Sequence, residues 1–486
     1  MRFSRVGSKT WMICTIVALA LLFVFTLNLA DSYWQYILMS IPLLGMVVYG
    51  FIYRISFVLY LLFFIIPFSS LVHYQQGVSI SMPSELLISL VSLYAVFLFL
   101  KKENVLIFKK ILLHPLSVLI LVNTLILIIT TANSTMLDVS VKRTLMRLNF
   151  LLVGFFFIVF WMRNKQHLLK PAFFYGLGIG VVAIFTLVAH ADYQFKQGMA
   201  SFVCPPFFDD HTIYGSCLAF ILPSIVLLCA NPLKSTPILK LLMRFLLLVI
   251  PLALYFSFSR GAWLSLLATL LLYFLLKLKT PVWMFVAMVI TFSSVGFVFK
   301  NQLFDSFGDV NALSQQENFT QHISSIANMK SDLSNVERLN RWHSAVEMFR
   351  EKPITGYGFG TYQFQYAPFQ NPTLLSHLSS NNGDKGNAHS EYLTYLSETG
   401  IFGFLSFICM LGYTLYLGIS LYYKQKDPAL KNIALVTTLG LFTFVVHGFF
   451  NAFLDQDKMA LLVFSSMAIL VAIDLFHTPI LTHQND

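Results

Sequence analysis

The chain has 486 residues, 57% hydrophobic and only 11% charged, with a formal net charge of +10. Soluble domains carry about 25% charged residues, so this composition and a mean hydropathy of +0.73 exclude an ordinary soluble fold. Apolar runs of about 20 residues, long enough to cross a hydrocarbon core of about 30 Å, recur along nearly the whole sequence.

Lipid offers the backbone no hydrogen-bond partner, so these runs are read as helices. The predicted fold class is an all-α polytopic membrane protein with about 14 transmembrane helices, in a range of roughly 12–14, and one large, partly helical external loop. In chain order the spans fall near residues 11–30, 34–51, 54–71, 84–100, 111–131, 147–162, 171–190, 212–230, 239–257, 261–278, 281–299, 400–423, 431–450 and 457–476. Residues 1–299 then form an N-terminal bundle, 300–390 the external loop and 391–486 a C-terminal bundle. The opening "MRFSRVGSK" is a basic flank, but no small-residue cleavage site follows it, so the first run reads as a retained anchor.

Orientation follows from lysine and arginine in short loops. Arg2, Arg5 and Lys9, "KKENVLIFKK" at 101–110, "RNKQHLLK" at 163–170, "NPLKSTPILK" at 231–240, "KLK" at 277–279 and "KQKDPALK" at 424–431 fall on one side, the expected cytoplasmic side. Both termini are then expected inside and the long loop outside. The positive charge is therefore topogenic, and no nucleic-acid partner is expected. The five cysteines, Cys14, Cys204, Cys217, Cys229 and Cys409, form no disulfide framework.

Within the external loop, residues 301–333 lack a sustained apolar pattern. The stretch "SNVERLNRWHSAVEMFREKP" predicts an amphipathic helix over 334–352, with Ser334 and Glu337 as a capping box and Pro353 after its end. Leu339, Trp342, Val346 and Phe349 recur at helical spacing, and Arg338 and Arg341 flank that stripe. The following "ITGYGFGTYQF" carries Gly356, Gly358 and Gly360. It lacks the spacing of a dinucleotide fingerprint and reads as a tight turn bringing backbone close to a neighbour.

On this topology polar residues from distant parts of the sequence converge on the external face: Arg260 in "SFSRGAW", Lys142, Arg143 and Arg147 by the sixth span, Asp209, Asp210 and His211 before the eighth, and His389, Glu391 and Glu398 in "NAHSEYLTYLSETG". Each has a plainer reading. Arg260 fits a snorkelling anchor, Asp209 and Asp210 fit metal ligands or a helix start, and the two glutamates fit a helix N-terminus.

In combination, "SRGAW", "RLNRWHSAVEMFREKPITGYGFGTYQF" and "NAHSEYLTYLSETGIFG" resemble the O-antigen ligase and polymerase superfamily of polytopic glycan transferases. The resemblance covers residues 255–405 and is carried by Arg338, Trp342, Pro353, Gly356, Gly358, Gly360, His389, Glu398 and Gly400. It implies transfer of a glycan from an undecaprenyl-diphosphate carrier to an acceptor hydroxyl at the outer face of the bacterial plasma membrane, with no cofactor or metal. The acceptor is lipid A core for a ligase or the growing glycan for a polymerase.

The residues suit that chemistry. Guanidiniums bind phosphate oxygens as permanently charged forks, which assigns Arg260, Arg338 and, less directly, Arg341 to the diphosphate. His389 is the expected base for the acceptor hydroxyl. Glu391, Glu398 and the three glycines are expected to support the site, with Lys142, Arg143, Arg147, Asp209 and Asp210 as candidate outer-face substrate contacts. A flippase for the same lipid-linked glycan is the alternative of another class. It would place ionisable groups near the midplane on broken helices, whereas these crowd one surface.

Overall fold

The computed structural model describes residues 45, 48–73, 79–230, 237–280, 333–375 and 386–478. The spans expected at 11–30 and 281–299, most of that at 34–51, and the segment 301–332 lie outside the described residues. Chain contacts divide the protein into two units, Met1–Leu62 and Phe63–Asp486. In the first, Gly50 O accepts the Arg54 N–H at 2.8 Å just ahead of α1 (Ile55–Ile65), and the Tyr49 and Tyr53 rings pack with centroids 5.0 Å apart.

The second unit opens at Phe63, inside the apolar helix Ile55–Phe68, which gives way, short of a full span, to a hairpin of β1 (Ser70–His73) and β2 (Ser79–Met82). The pairing is antiparallel, with Ser70 opposite Met82. Helix α2 (Ser84–Leu100) then bends by 106° into α3 (Lys102–Leu112). The remaining long helices are α4 (Pro115–Ala132), α5 (Leu137–Leu151), α6 (Lys170–Ala191), α7 (His211–Ala230), α8 (Pro237–Phe256) and α9 (Arg260–Lys277). After the undescribed stretch come α10 (Leu333–Glu351), the single turn α11 (Tyr362–Gln365), α12 (Glu391–Lys424), α13 (Pro428–His447) and α14 (Asp457–Ala472).

Eight helices among the described residues are long and apolar enough to cross a membrane, or nine if the bent pair α2 and α3 is one span. Local chemistry sets their starts. Pro115 and Pro428 occupy first-turn positions whose missing N–H costs nothing there. The His114 ring and the Asp427 carboxylate accept the N–H groups of Leu116 and Ala429. Nearly every residue of α14 is buried, which makes it the axis of the bundle. A Cβ on Gly154 would lie 2.9 Å from Leu461, so the missing side chain lets the π-helical turn after α5 close on α14.

One expected boundary shifts. The sixth span was expected to begin at Arg147, with Lys142 and Arg143 ahead of it. The continuous helix instead runs Leu137–Trp161 and carries all three cations in its first half. A guanidinium tolerates that depth because a carboxylate and a phenol meet it there.

The helix ends sort into two sets by contact. At one, Lys165 pairs with Asp427, His114 lies 3.2 Å from Asp474, and Tyr423 donates to Leu276 O. Arg163, Lys165, Lys170, Lys277, Lys279 and Lys424 belong to this end. At the other, Glu391 N–H donates to Gly448 O, Thr135 N–H donates to Tyr357 O, and Gly261 abuts His447. The predicted polar residues gather at this second end, across the bundle from most of the basic loops.

Candidate active site

Helix α10 begins at Leu333, one residue before the expected cap. The Glu337 carboxylate accepts the Arg341 Nε–H at 2.8 Å, and both side chains are buried. A buried guanidinium without a counter-charge is costly, which is why Glu337 turns to it. The most deeply packed face of α10 is Asn340, Arg341, Ser344, Ala345 and Met348, while the predicted apolar stripe is only half-buried.

The covering comes from the chain that follows. Ala345 and Met348 pack with Tyr357, Tyr362, Tyr366 and Ala388, Tyr362 Oη donates to Arg341 O, and Asn340 accepts the Asn371 N–H. Arg341 is thereby committed to scaffold contacts. Its Nη1 donates to Asn387 O at 3.1 Å and its guanidinium lies 4.9 Å from the Tyr366 ring.

The glycine turn brings backbone against the kink of α12. Gly400 has φ 66° and ψ −168° inside that helix. A Cβ there would lie 2.2 Å from Ile354 O, and Ile401 N–H donates to Pro353 O. Gly356, at φ 65°, has no room either, since its Cβ would fall 2.3 Å from the Glu398 carbonyl. Left-handed backbone and close approach together leave glycine as the residue that fits. The N–H of Gly358 donates to Glu398 O, and a Cβ on that glycine would run into Ser134. The Glu398 carboxylate accepts the N–H groups of Gly360 at 2.8 Å and Tyr362 at 3.0 Å, the start of α11.

Glu391, at the first turn of α12, accepts the N–H groups of Phe453 at 2.9 Å and Leu454 at 3.3 Å. Beside it Arg147 is buried, with Nη1 on Tyr395 Oη at 2.6 Å and Nη2 on Asp455 Oδ1 at 2.9 Å. Arg143 lies 3.6 Å from the other Asp455 oxygen. Burial alone would raise the Asp455 carboxyl, but the two arginines outweigh it and hold it below its ordinary value. Lys142 lies within electrostatic reach of Glu85 on α2. Asp209 is exposed, and Asp210 caps the N-terminus of α7 through the Thr212 N–H.

These contacts carry His389 between α10 and the loop after α13. Trp342 donates its indole N–H to His389 O at 3.2 Å, and Asn387 Oδ1 accepts the His389 N–H at 2.9 Å. The backbone of His389 is left-handed, φ 48°, a conformation that costs a residue with a Cβ about 1–3 kcal/mol and that clusters at functional sites. Its Nδ1 lies 3.5 Å from Asn451 Oδ1, and Asn451 Nδ2 lies 3.2 Å from His447 Nε2. Burial first, then the guanidiniums of Arg341 and Arg338, push the His389 ring down to about 4, so it is neutral near pH 7.

Arg338, one helical turn before Trp342 on the same face, is within electrostatic reach of His389, His211 and His447. Arg260 opens α9 directly after Ser259, and Phe258, at φ 49°, turns the chain into it. Arg260 reaches His211 electrostatically, and its neighbour Gly261 backs onto His447, where a Cβ would sit 2.9 Å from Nε2. Two strained non-glycine residues therefore flank the site, one directing Arg260 and the other His389.

Of the residues expected from sequence, Arg260, Arg338, His389 and Asp210 share one electrostatic neighbourhood. Arg147, Glu391 and Glu398 are buried in support of it. Sequence reasoning missed His447, Asn451, Asp455 and Asn387, and took Glu337 for a helix cap and not for the partner of Arg341. The signal for the first three was "HGFFNAFLDQD" at 447–457, where polar residues recur four apart at a span's end. Among the described residues no group of three or more His, Cys, Asp or Glu side chains is arranged to hold a metal.

Apolar spanning helices with guanidiniums and a neutral imidazole gathered at one end define a multi-pass membrane protein with a candidate anion-handling site. Residues 245–408 match the family model described as O-Antigen ligase, a match that supports a likeness to the O-antigen ligase and polymerase superfamily. With the apolar helices, the match supports a membrane protein of polysaccharide and lipopolysaccharide biosynthesis. No curated protein matches the chain. The matched stretch contains Arg260, Arg338 and His389, whereas Asn451, His447, Asp455 and Arg147 lie outside it.

Proposed function

We propose that this protein transfers a glycan from an undecaprenyl-diphosphate carrier to an acceptor hydroxyl at the outer face of the bacterial inner membrane, as an O-antigen ligase does. The observation that carries the reading is the neutral His389 ring beside Arg338, at the same helix ends as Arg260. The match to the O-antigen ligase family supports the reaction class. The gathering of basic residues at the opposite end of the bundle supports an external site, by the tendency of lysine and arginine to remain cytoplasmic.

The acceptor oxygen attacks the anomeric carbon as its proton passes to the open nitrogen of His389, and the bond from that carbon to the diphosphate oxygen breaks with its electron pair leaving on the diphosphate. Displacement from the opposite face inverts the anomeric centre. Charge accumulates on the leaving diphosphate, where Arg338 and Arg260 supply fixed positive charge without reorganisation. Arg341 contributes its field and holds the Asn387 carbonyl, so its part is to position the histidine segment.

The test is transfer in vitro by purified full-length protein from lipid-linked glycan to lipid A core. His389→Ala is expected to cut turnover by roughly 10²- to 10⁴-fold, the usual contribution of a general base. Near-normal transfer by that variant would remove the base assignment. Extension of the donor's own glycan, with no product on lipid A core, would identify the polymerase instead.

A further inference from the structure

We infer that Asn451 is the positioning residue for His389, holding its proton on Nδ1 and leaving Nε2 as the base, with His447 behind it to fix the Asn451 amide. The inference rests on the transferase reading above and adds residues beyond the stretch that matches the family model.

A neutral imidazole has one donor and one acceptor nitrogen, and the partner of one nitrogen decides the role of the other. Asn451 presents its amide oxygen to His389 Nδ1 at 3.5 Å and its amide nitrogen to His447 Nε2 at 3.2 Å. With the amide turned this way its nitrogen donates, so His447 Nε2 is the acceptor and His447 carries its own proton on Nδ1, a buried atom that makes no hydrogen bond of its own. The amide oxygen then faces His389, where only an Nδ1–H satisfies it. The contact is long, as catalytic hydrogen bonds often are before substrate tightens them.

Three further contacts hold the pair in place. Asn451 N–H donates to His447 O at 3.2 Å, Asn387 Nδ2 donates to Ala452 O at 2.9 Å, and Glu391 grips the next two N–H groups. The loop carrying Asn451 is thus bolted on both sides to the loop carrying His389. His447 is buried against Gly261, whose missing Cβ makes room for the ring. The charged groups acting on His389 are Arg338 and Arg341 from α10 and Asp210 from the segment before α7.

The decisive experiment reads the proton directly. In full-length protein labelled with ¹⁵N-histidine and held in lipid, the resonances of His389 are assigned by difference against His389→Gln, and their shifts report the tautomer. The expected result is Nδ1–H in the wild type and a mixture of tautomers in Asn451→Ala. In the transfer assay Asn451→Ala is expected to lower kcat by roughly 10- to 100-fold, the usual cost of losing an orienting partner, with donor KM within about two-fold. Asn451→Asp, whose carboxylate still accepts from Nδ1–H, is expected to recover most of kcat and to move the acid limb of the pH profile upward.

A proton on Nε2 of His389 in the wild type overturns the inference, as does Asn451→Ala with unchanged kcat. So does an Asn451→Asp variant no better than Asn451→Ala while still folded by thermal melt. If the tautomer depends on Asn451 but His389→Ala transfers normally, the base reading fails while the positioning contact stands.

Discussion

The Glu398 carboxylate accepts the backbone N–H of Gly360 at 2.8 Å, from a residue 38 positions away in the chain. That contact, with the second N–H at Tyr362, ties the glycine turn to α12. Glu398→Ala leaves two buried donors unmet, each costing about 1–3 kcal/mol. A loss of about 2–6 kcal/mol is expected as lowered thermal stability in detergent. Glu398→Gln, which keeps one acceptor oxygen, is expected to lose less; equal losses would argue against this account.

Gly400 is expected to tolerate no side chain. Gly400→Ala brings a Cβ to 2.2 Å from a backbone oxygen at a left-handed position. The strain alone is about 1–3 kcal/mol, and the turn at Pro353 must move to relieve the clash. Loss of folded protein, measured by size-exclusion recovery after mild heating, checks it against Gly412→Ala, which has open space around it.

Asp455 is the counter-ion of a buried arginine. Asp455→Ala strands Arg147 without its carboxylate, and breaking such a pair costs roughly 3–5 kcal/mol. Arg143, partly exposed and at 3.6 Å, is worth less than about 1 kcal/mol to the same carboxylate. Melting temperatures of Asp455→Ala and Arg143→Ala should therefore differ widely, and similar values would count against the assignment.

The His389 ring is held down at about 4, against about 6.5 for an unfolded histidine. Above pH 6.5 both states are neutral and the residue contributes nothing. As pH falls from 6.5 to about 4 the unfolded chain takes up a proton that the folded ring refuses, so stability declines across that window. His389→Gln is expected to lessen the decline, measured as melting temperature against pH. Transfer limited by free neutral His389 should show no acid limb above about pH 5 from this group, and a limb near pH 6.5 before donor binds would count against a ring held down at about 4.

Hydropathy alone placed most of the described helices, because a backbone in lipid has no solution other than helix. The expected span at 212–230 coincides with α7, His211–Ala230, and that at 431–450 with α13, Pro428–His447. The motif pattern likewise singled out Arg260, Arg338 and His389 before any contact was known. It also marked the glycine turn as a close approach, though not what it approaches.

Only the tertiary structure decided which polar residues face one another. Arg143 and Arg147 looked like surface cations, yet Arg147 is buried against Asp455, a partner some 300 positions later, and the partly exposed Arg143 faces the same carboxylate. The sequence marked Ser334 and Glu337 as a helix start, but not that the Glu337 carboxylate meets a buried Arg341. Asn451 and His447 carried no signal beyond their spacing. Periodicity along one chain reports whether a residue meets lipid or packing. Pairing across helices depends on which ends the folded bundle brings within hydrogen-bond range, and that is a property of three dimensions alone.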